Sequence, residues 1–373
     1  MRDRSLRAFS LVELLIVIAI VFLLGGISVS GLQAARESAR RLCCAANLRE
    51  LGLGLMHHHQ ALGVLPPSWG GPDSTATISW GTPPTRKPYP GPGVGLASGF
   101  VMLLPYIGET GLDAAIEAVG RPWILDSVYS EASIQGLLCP ADEPSRSHNY
   151  LFSIGDRYQG FWPGFTMPPA ENRRFQDSLR GLFGLQSRVR LESVRDGLSN
   201  TIAMSECVRP RGLGRSVPAT ETVHGVQYSG SQSEAVVNDR FAVAMSHAFS
   251  PKDCRASFVA GAFQPGTVLM VMDRSPGWLW SCGRVSFVSF STVLPPNGPR
   301  CNHYFVAGSL TPQSRHPGGV FGLMADGAVR FITDEIDAGD PSLPDRQSGP
   351  SPYGVWGALG SRAGGEVTAI PLP

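Results

Sequence analysis

The sequence has none of the short signatures that mark a hydrolase. It contains no G-x-S-x-G to set a serine on a strand-to-helix elbow and no H-E-x-x-H to put two histidines on one helix face, and its acids show no paired spacing. No enzyme and no catalytic residue is therefore expected. Imbalance of charge is missing as well: Lys plus Arg is 31 and Asp plus Glu is 30, so electrostatics gives no case for nucleic acid as a partner. C-x-x-C is also absent. The seven cysteines, at 43, 44, 139, 207, 254, 282 and 301, form no zinc-knuckle spacing, and no metal or cofactor is expected from any motif. Their odd number leaves at least one thiol free or intermolecular.

What is present begins with an apolar run over residues 9–29, FSLVELLIVIAIVFLLGGISV, behind Arg2, Arg4 and Arg7. A helix of that length crosses a bilayer's hydrocarbon core. The run is too long for a cleaved secretory signal and shows no polar face before Ser28. Its one charge is Glu13, and a carboxylate in hydrocarbon costs about 2.5–3.5 kcal/mol, so it calls for a partner. Ala8, Phe9, Ser10, Leu11, Val12, Glu13, Leu14 and Leu15 together resemble the type IV prepilin cleavage and methylation signal. That resemblance implies a leader over 1–8, cut by a prepilin peptidase before Phe9, with the new amine methylated and Glu13 as fifth residue of the mature chain. Glu13 of the same or a neighbouring subunit then supplies the counter-charge that the amine needs in lipid. The family usually has Gly where this chain has Ala8.

At 373 residues the chain has room for two domains of typical size, or one with large insertions. Gly at 44 and Pro at 31 favour a loop-rich, strand-based body beyond the anchor. Residues 31–60 contain no proline, so the helix is expected to continue as a spine over 30–62, with Ala39, Leu42, Ala46, Leu48, Leu51 and Leu55 on an apolar stripe. One helix over 9–60 would be roughly 78 Å long. His57, His58 and His59 stand about 100° apart on such a helix, cannot converge on one ion, and suit its C-terminal dipole. Further along, an ordered loop is expected over 63–95, a helix over 108–119, and strands on either side of a Cys-Pro turn within 133–155. Strands are also expected over 200–208, with Glu206 as a structural hydrogen-bond partner, and over 267–273 and 284–294.

The clearest local signal is the hairpin 314–337. Asp326-Gly327 suits a two-residue type I′ turn, which would set Ala325 opposite Ala328 and Val320 opposite Thr333. His316 and Asp326 invite an acid-base reading, but six strand residues put roughly 20 Å between their ends of the hairpin. Asp326 is expected to shape the turn, and His316 to cap the loop before Pro317-Gly318-Gly319. An acidic group, Asp334, Glu335, Asp337 and Asp340, is expected to be a solvated surface rather than a calcium loop.

His316, nine residues, then Asp326-Gly327 resembles the bacterial family described as prepilin-type processing-associated, with a His-x9-Asp-Gly C-terminal domain. Other pieces are similar to it: QAARESARR with Cys44 and Asn47-Leu48; Leu104-Pro105-Tyr106; Leu138-Cys139-Pro140; Asp196-Gly197-Leu198-Ser199-Asn200-Thr201; Leu294-Pro295-Pro296-Asn297; Gly364-Gly365-Glu366. The matches run through the chain except over 156–185 and 210–265. The resemblance implies a pseudopilin-like protein of unknown activity, single-pass in the bacterial inner membrane with its N-terminus inside. Its head would be extracytoplasmic, and its helix would pack with other pilin-like subunits, as in a type II secretion or type IV pilus-like assembly.

Two functions from different classes follow. The first is structural, in such an assembly. The second is a tethered module whose Trp69, Trp80, Trp123, Trp162, Trp278 and Trp280 recognise a glycan or envelope polymer. Export permits disulfides, with Cys43 or Cys44 on the spine bridging to Cys139, and Cys282 pairing with Cys301 or Cys254. The expected fold is α+β: a pilin-like long N-terminal helix packed on an antiparallel β-sheet head, residues 63–373, with large loop insertions.

Overall fold

The computed structural model describes residues 11–70, 97–118, 128, 131–142, 148–159, 179–209, 216–223, 226–233, 240–269, 276–303 and 307–366, without the side chains of 23–30, 216–233 and 307. Ala8, Phe9, Trp80, Trp123 and Trp162 lie outside the described residues. One helix, α1 (Leu11–Leu62, 52 residues), opens the chain, and α2 (Gly99–Leu103) and α3 (Thr110–Ala118) follow. Among the described residues no helix is long and apolar enough to cross a membrane. The run 9–29 lies only partly within them.

The buried stripe of α1 is Cys44, Leu48, Leu51 and Leu55, at the 3- and 4-residue spacing of one helix face. Ala39, Leu42 and Ala46, expected on that stripe, are exposed, Leu42 by 72 %. Leu48, Leu51 and Leu55 keep the expected face, and Gly52 and Gly54 let the helix sit close to the head. A Cβ on Gly52 would stand 2.8 Å from Leu323 Cδ1, and one on Gly54 2.6 Å from Ile107 Cγ2. The stop comes at Gly63, whose φ of +74° suits a left-handed residue after a helix. His58 Nδ1 bonds the Val64 carbonyl across that stop, and His59 Nε2 accepts the Leu191 amide.

The strands are β1 (Tyr150–Ser153), β2 (Ile202–Glu206), β3 (Ser216–Val223), β4 (Val226–Ser233), β5 (Val243–Ala244), β6 (Phe258–Val259), β7 (Ala262–Phe263), β8 (Ser289–Phe290), β9 (Arg300–His303), β10 (Ala307–Ser309), β11 (Gly319–Met324) and β12 (Val329–Thr333). The principal sheet has the order β12-β11-β2-β1-β8. It is antiparallel except at one edge, where β8 runs parallel to β1, so the expected antiparallel sheet is mixed. Both faces are covered. Tyr150, Phe152, Met204 and Leu323 pack toward α1, while Leu151, Ile202, Val320, Met324 and Ile332 pack against Trp356 and Leu359 of the short helix Gly354–Gly360. The other sheets are small: β10-β9-β5, β3-β4 and β6-β7.

Several expected elements take another form. Residues 133–139 hold a 3-10 turn, Gln135–Leu137, in place of a strand. Residues 284–294 begin with a helical turn, Val285–Val288, and only Ser289–Phe290 pairs as strand. Of 267–273, residues 270–273 lie outside the described residues, and Leu269 makes an isolated bridge to Ala244.

The hairpin register also differs by one residue. Val320 faces Ile332 and Gly319 faces Thr333. The Met324 carbonyl accepts the Gly327 amide and the Met324 amide donates to the Ala328 carbonyl, so the loop has three residues. Only Gly327, at φ +87°, is left-handed there, whereas a type I′ turn would need both central residues so.

Candidate functional site

The polar groups that the fold brings together lie where α1 meets the sheet. Glu37 is on α1, and Cys44 is two turns further along the same helix. Cys139 follows the 3-10 turn, Glu206 ends β2, and His316 stands three residues before β11. Local bonds set each in place. The Ser314 hydroxyl accepts the His316 amide, the Ser314 amide donates to Asn297 Oδ1, and Asn149 Oδ1 accepts the Cys139 amide. At the end of β2, Glu206 Oε2 accepts the Phe321 amide at 2.7 Å, so a side chain continues the pairing between β2 and β11.

His316 is buried with both ring nitrogens facing acids. Nδ1 is 2.8 Å from Glu37 Oε1, and Nε2 is 3.5 Å from Glu206 Oε1 and 3.8 Å from Cys139 Sγ. The ring stands edge-on to Phe321 at 5.6 Å between centroids. Burial alone would lower the His316 pKa, but the hydrogen bonds and charges of Glu206 and Glu37 outweigh it and raise the pKa. Burial likewise opposes ionisation of Glu37, and hydrogen bonds from His316, Arg40 and Arg41, together with the His316 charge, hold its carboxyl below the usual range. Arg41 ties the same corner from outside. Its guanidinium donates to the Pro317 carbonyl at 2.8 Å and lies 4.9 Å over the Phe331 ring.

Cys44 and Cys139 are joined as a disulfide across 95 residues, and Cys254 and Cys301 form a second across 47. The helix phase selects Cys44 over Cys43, which points to solvent as a free thiol. Cys282 pairs with neither Cys301 nor Cys254. It is a buried thiol beside Ala97, while Cys254 on the helix Pro251–Ala256 packs on the β9 strand that carries Cys301. Burial pushes the Cys282 thiol up to about 11, which keeps it protonated and inert.

The expectation that His316 caps a loop is corrected. Its ring is a buried link between α1 and β2, and the chemistry sequence reasoning missed is its meeting with Glu37, Glu206 and Cys139. No spacing signals that meeting, because the partners lie 279, 110 and 177 residues away. Asp326 stands at the hairpin tip, where Oδ1 accepts the Ala328 amide, with β11 between it and His316. Of the acids of 334–340, Glu335, Asp337 and Asp340 are exposed, as expected of a solvated surface, and Asp334 is half-buried; three of them also hold local structure. Asp334 accepts from Asn297, Asp337 from the Gly339 amide and Asp340 from Ser342. Trp69 and Trp280 are core residues and unavailable to a ligand, and Trp278 packs edge-on against Phe287.

Chemically, the site can clamp and it can ligate. His316 Nε2, Glu206 Oε1 and the two sulfurs all lie within 4.8 Å of one another, and among the described residues no other group of three or more His, Cys, Asp and Glu gathers this way. No curated protein and no solved structure matches the chain. The family described as "Protein of unknown function (DUF1559)" matches residues 33–339, the span that holds α1's buried half, the sheet and all five residues of the site, and the chain belongs to that family.

Proposed function

We propose that this protein is a pseudopilin-like structural protein of the bacterial envelope, anchored in the inner membrane by α1, with its head on the extracytoplasmic side. The observation that carries the reading is the division of α1. From Leu11 (78 % exposed) to Phe22 (76 %) its apolar side chains project away from the head, whereas from Cys44 to Leu55 the helix is seated in the core. A helix face that is apolar all round and bare of its own protein is suited to lipid and to the helices of other subunits. Two disulfides suit an oxidising compartment. The prepilin-type signal at Ala8 and Phe9, Glu13 within the apolar run, and the His-x9-Asp-Gly element support the same reading.

The test is the N-terminal mass of the protein from membranes of its own host, with Glu13→Leu as companion. A start at methylated Phe9, with assembly lost in Glu13→Leu while the head stays folded, is the expected result. An intact Met1 in the membrane, with assembly indifferent to Glu13, would overturn it in favour of a plain anchor carrying a binding module. The core positions of Trp69 and Trp280 already take two aromatics away from that second reading.

A further inference from the structure

We propose that Cys44, Cys139, Glu206 and His316 form a redox-gated site for zinc, closed while the two cysteines are joined and opened by their reduction. A tetrahedral zinc ion, with bonds of about 2.0–2.3 Å, holds its ligand atoms roughly 3.3–3.8 Å apart. Here His316 Nε2 to Glu206 Oε1 is 3.5 Å, His316 Nε2 to Cys139 Sγ is 3.8 Å and Glu206 Oε1 to Cys139 Sγ is 3.9 Å. Two of those edges lie within that range and the third is about 0.1 Å beyond it, and no ligand pair exceeds 4.8 Å. What must change is the separation of the two sulfurs, which cutting their bond permits.

An independent observation is the layer behind the ligands. A metal-binding histidine ordinarily gives its second ring nitrogen to a carboxylate, which fixes the tautomer and aims the first nitrogen at the ion. Glu37 stands in that relation to His316 Nδ1 at 2.8 Å, and Arg40 and Arg41 hold Glu37 in turn. Glu206 is oriented in the same way, one oxygen on the Phe321 amide and the other toward the cluster. Two thiolates, an imidazole and a carboxylate make a donor set for zinc rather than for calcium or magnesium. The ligands come from four separate segments, so the ion would join α1 to the head as the disulfide does.

The chemistry balances with a dithiol as reductant. It delivers two electrons and two protons, the Cys44–Cys139 bond breaks, two thiols form and the reductant becomes a disulfide. Zinc then displaces the two thiol protons, and any proton on His316 Nε2, to solvent. The reductant's approach is through Cys139, which is 8 % exposed where Cys44 is fully covered.

The test uses the full chain in detergent, in a Cys43→Ser background that removes the exposed neighbouring thiol. Zinc is titrated against a chromophoric chelator before and after reduction, and cobalt is titrated as a spectroscopic probe. Reduced protein is expected to bind one zinc ion that oxidised protein does not, and cobalt to show sulfur-to-metal charge transfer with the visible bands of a tetrahedral site. Cys44→Ser with Cys139→Ser should abolish uptake, and Glu37→Gln, which removes no ligand, should weaken it 10–100-fold. Folded, reduced protein taking up no more zinc than the double serine variant would overturn the proposal. So would cobalt bound without sulfur charge transfer, uptake unchanged in His316→Gln, or a reduced chain that loses its circular dichroism with zinc present.

Discussion

Replacing Cys44 and Cys139 together by serine isolates the clamp between α1 and the head, and its effect can be worked out before measurement. The bond closes a loop across 95 residues. Chain entropy assigns about 4–5 kcal/mol to a loop of roughly 100 residues, all of it from the unfolded state. The native contacts around the bond survive the substitution: Asn47 Nδ2 still donates to the Leu138 carbonyl at 2.8 Å, Tyr150 Oη to the Cys44 carbonyl at 3.3 Å, and His316 still meets Glu37. Leu48, Leu51 and Leu55 remain buried.

The variant should therefore unfold more easily without the helix leaving the head. With a urea slope on the order of 3 kcal/mol/M, a loss of that size lowers the midpoint by about 1.5 M. Trypsin, meanwhile, should cut Arg49 on the native protein no faster than before. The second disulfide, at a sequence separation of 47, should contribute about 0.6 kcal/mol less, because the entropy grows with the logarithm of loop length. A midpoint that moves by less than about 0.3 M would refute the entropic account. Rapid cleavage at Arg49 would show instead that the bond, and not the packing, seats the helix.

Three further outcomes are expected. His148 is fully buried and its Nε2 donates to the Phe287 carbonyl, and burial pulls its pKa from 6.5 down to about 4. The unfolded chain therefore takes the proton first, so about 3 kcal/mol of stability held above pH 6.5 is lost as pH falls toward 4. Urea midpoints between pH 7.5 and 4.5 should show a slope that His148→Gln removes, and an equal slope in both proteins would sink the assignment. Gly181→Ala would set a Cβ 2.3 Å from the Gly155 amide and the Ile154 carbonyl carbon, backbone atoms that cannot give way. A loss of about 3 kcal/mol in thermal unfolding is expected, and a neutral variant would mean that this crossing is looser than drawn. Arg300 is buried, its guanidinium donates to the carbonyls of Thr311, Ser286 and Ser289, and burial draws its pKa down to about 10. Arg300→Met strands those acceptors and should cost about 3 kcal/mol or more by chemical denaturation, with a loss below about 1 kcal/mol counting against their role.

The elements legible in the sequence were those whose signal is local. The uninterrupted run without proline after residue 30 specified one continuous helix, and Leu48, Leu51 and Leu55 named the face that it buries. The Asp326-Gly327 pair specified a hairpin between two apolar strands. Local signals also misled. The same pair serves a two-residue or a three-residue loop, and the difference of one residue changed every cross-strand partner. The segments 133–139 and 284–288 have strand-like composition, yet they close as helical turns because they pass between larger elements instead of along a partner strand.

What the sequence by itself determined is the division of the protein: an apolar N-terminal run, a helical spine with a buried stripe, and a loop-rich head closed by a hairpin. These follow from periodicity and length, which act within a few residues of each position. Only the tertiary structure decided that β8 joins the sheet in parallel, that Cys44 and not Cys43 meets Cys139, and that His316 lies between Glu37 and Glu206. Those are pairings across tens to hundreds of residues, selected by which faces can be buried together, and no spacing along the chain encodes them.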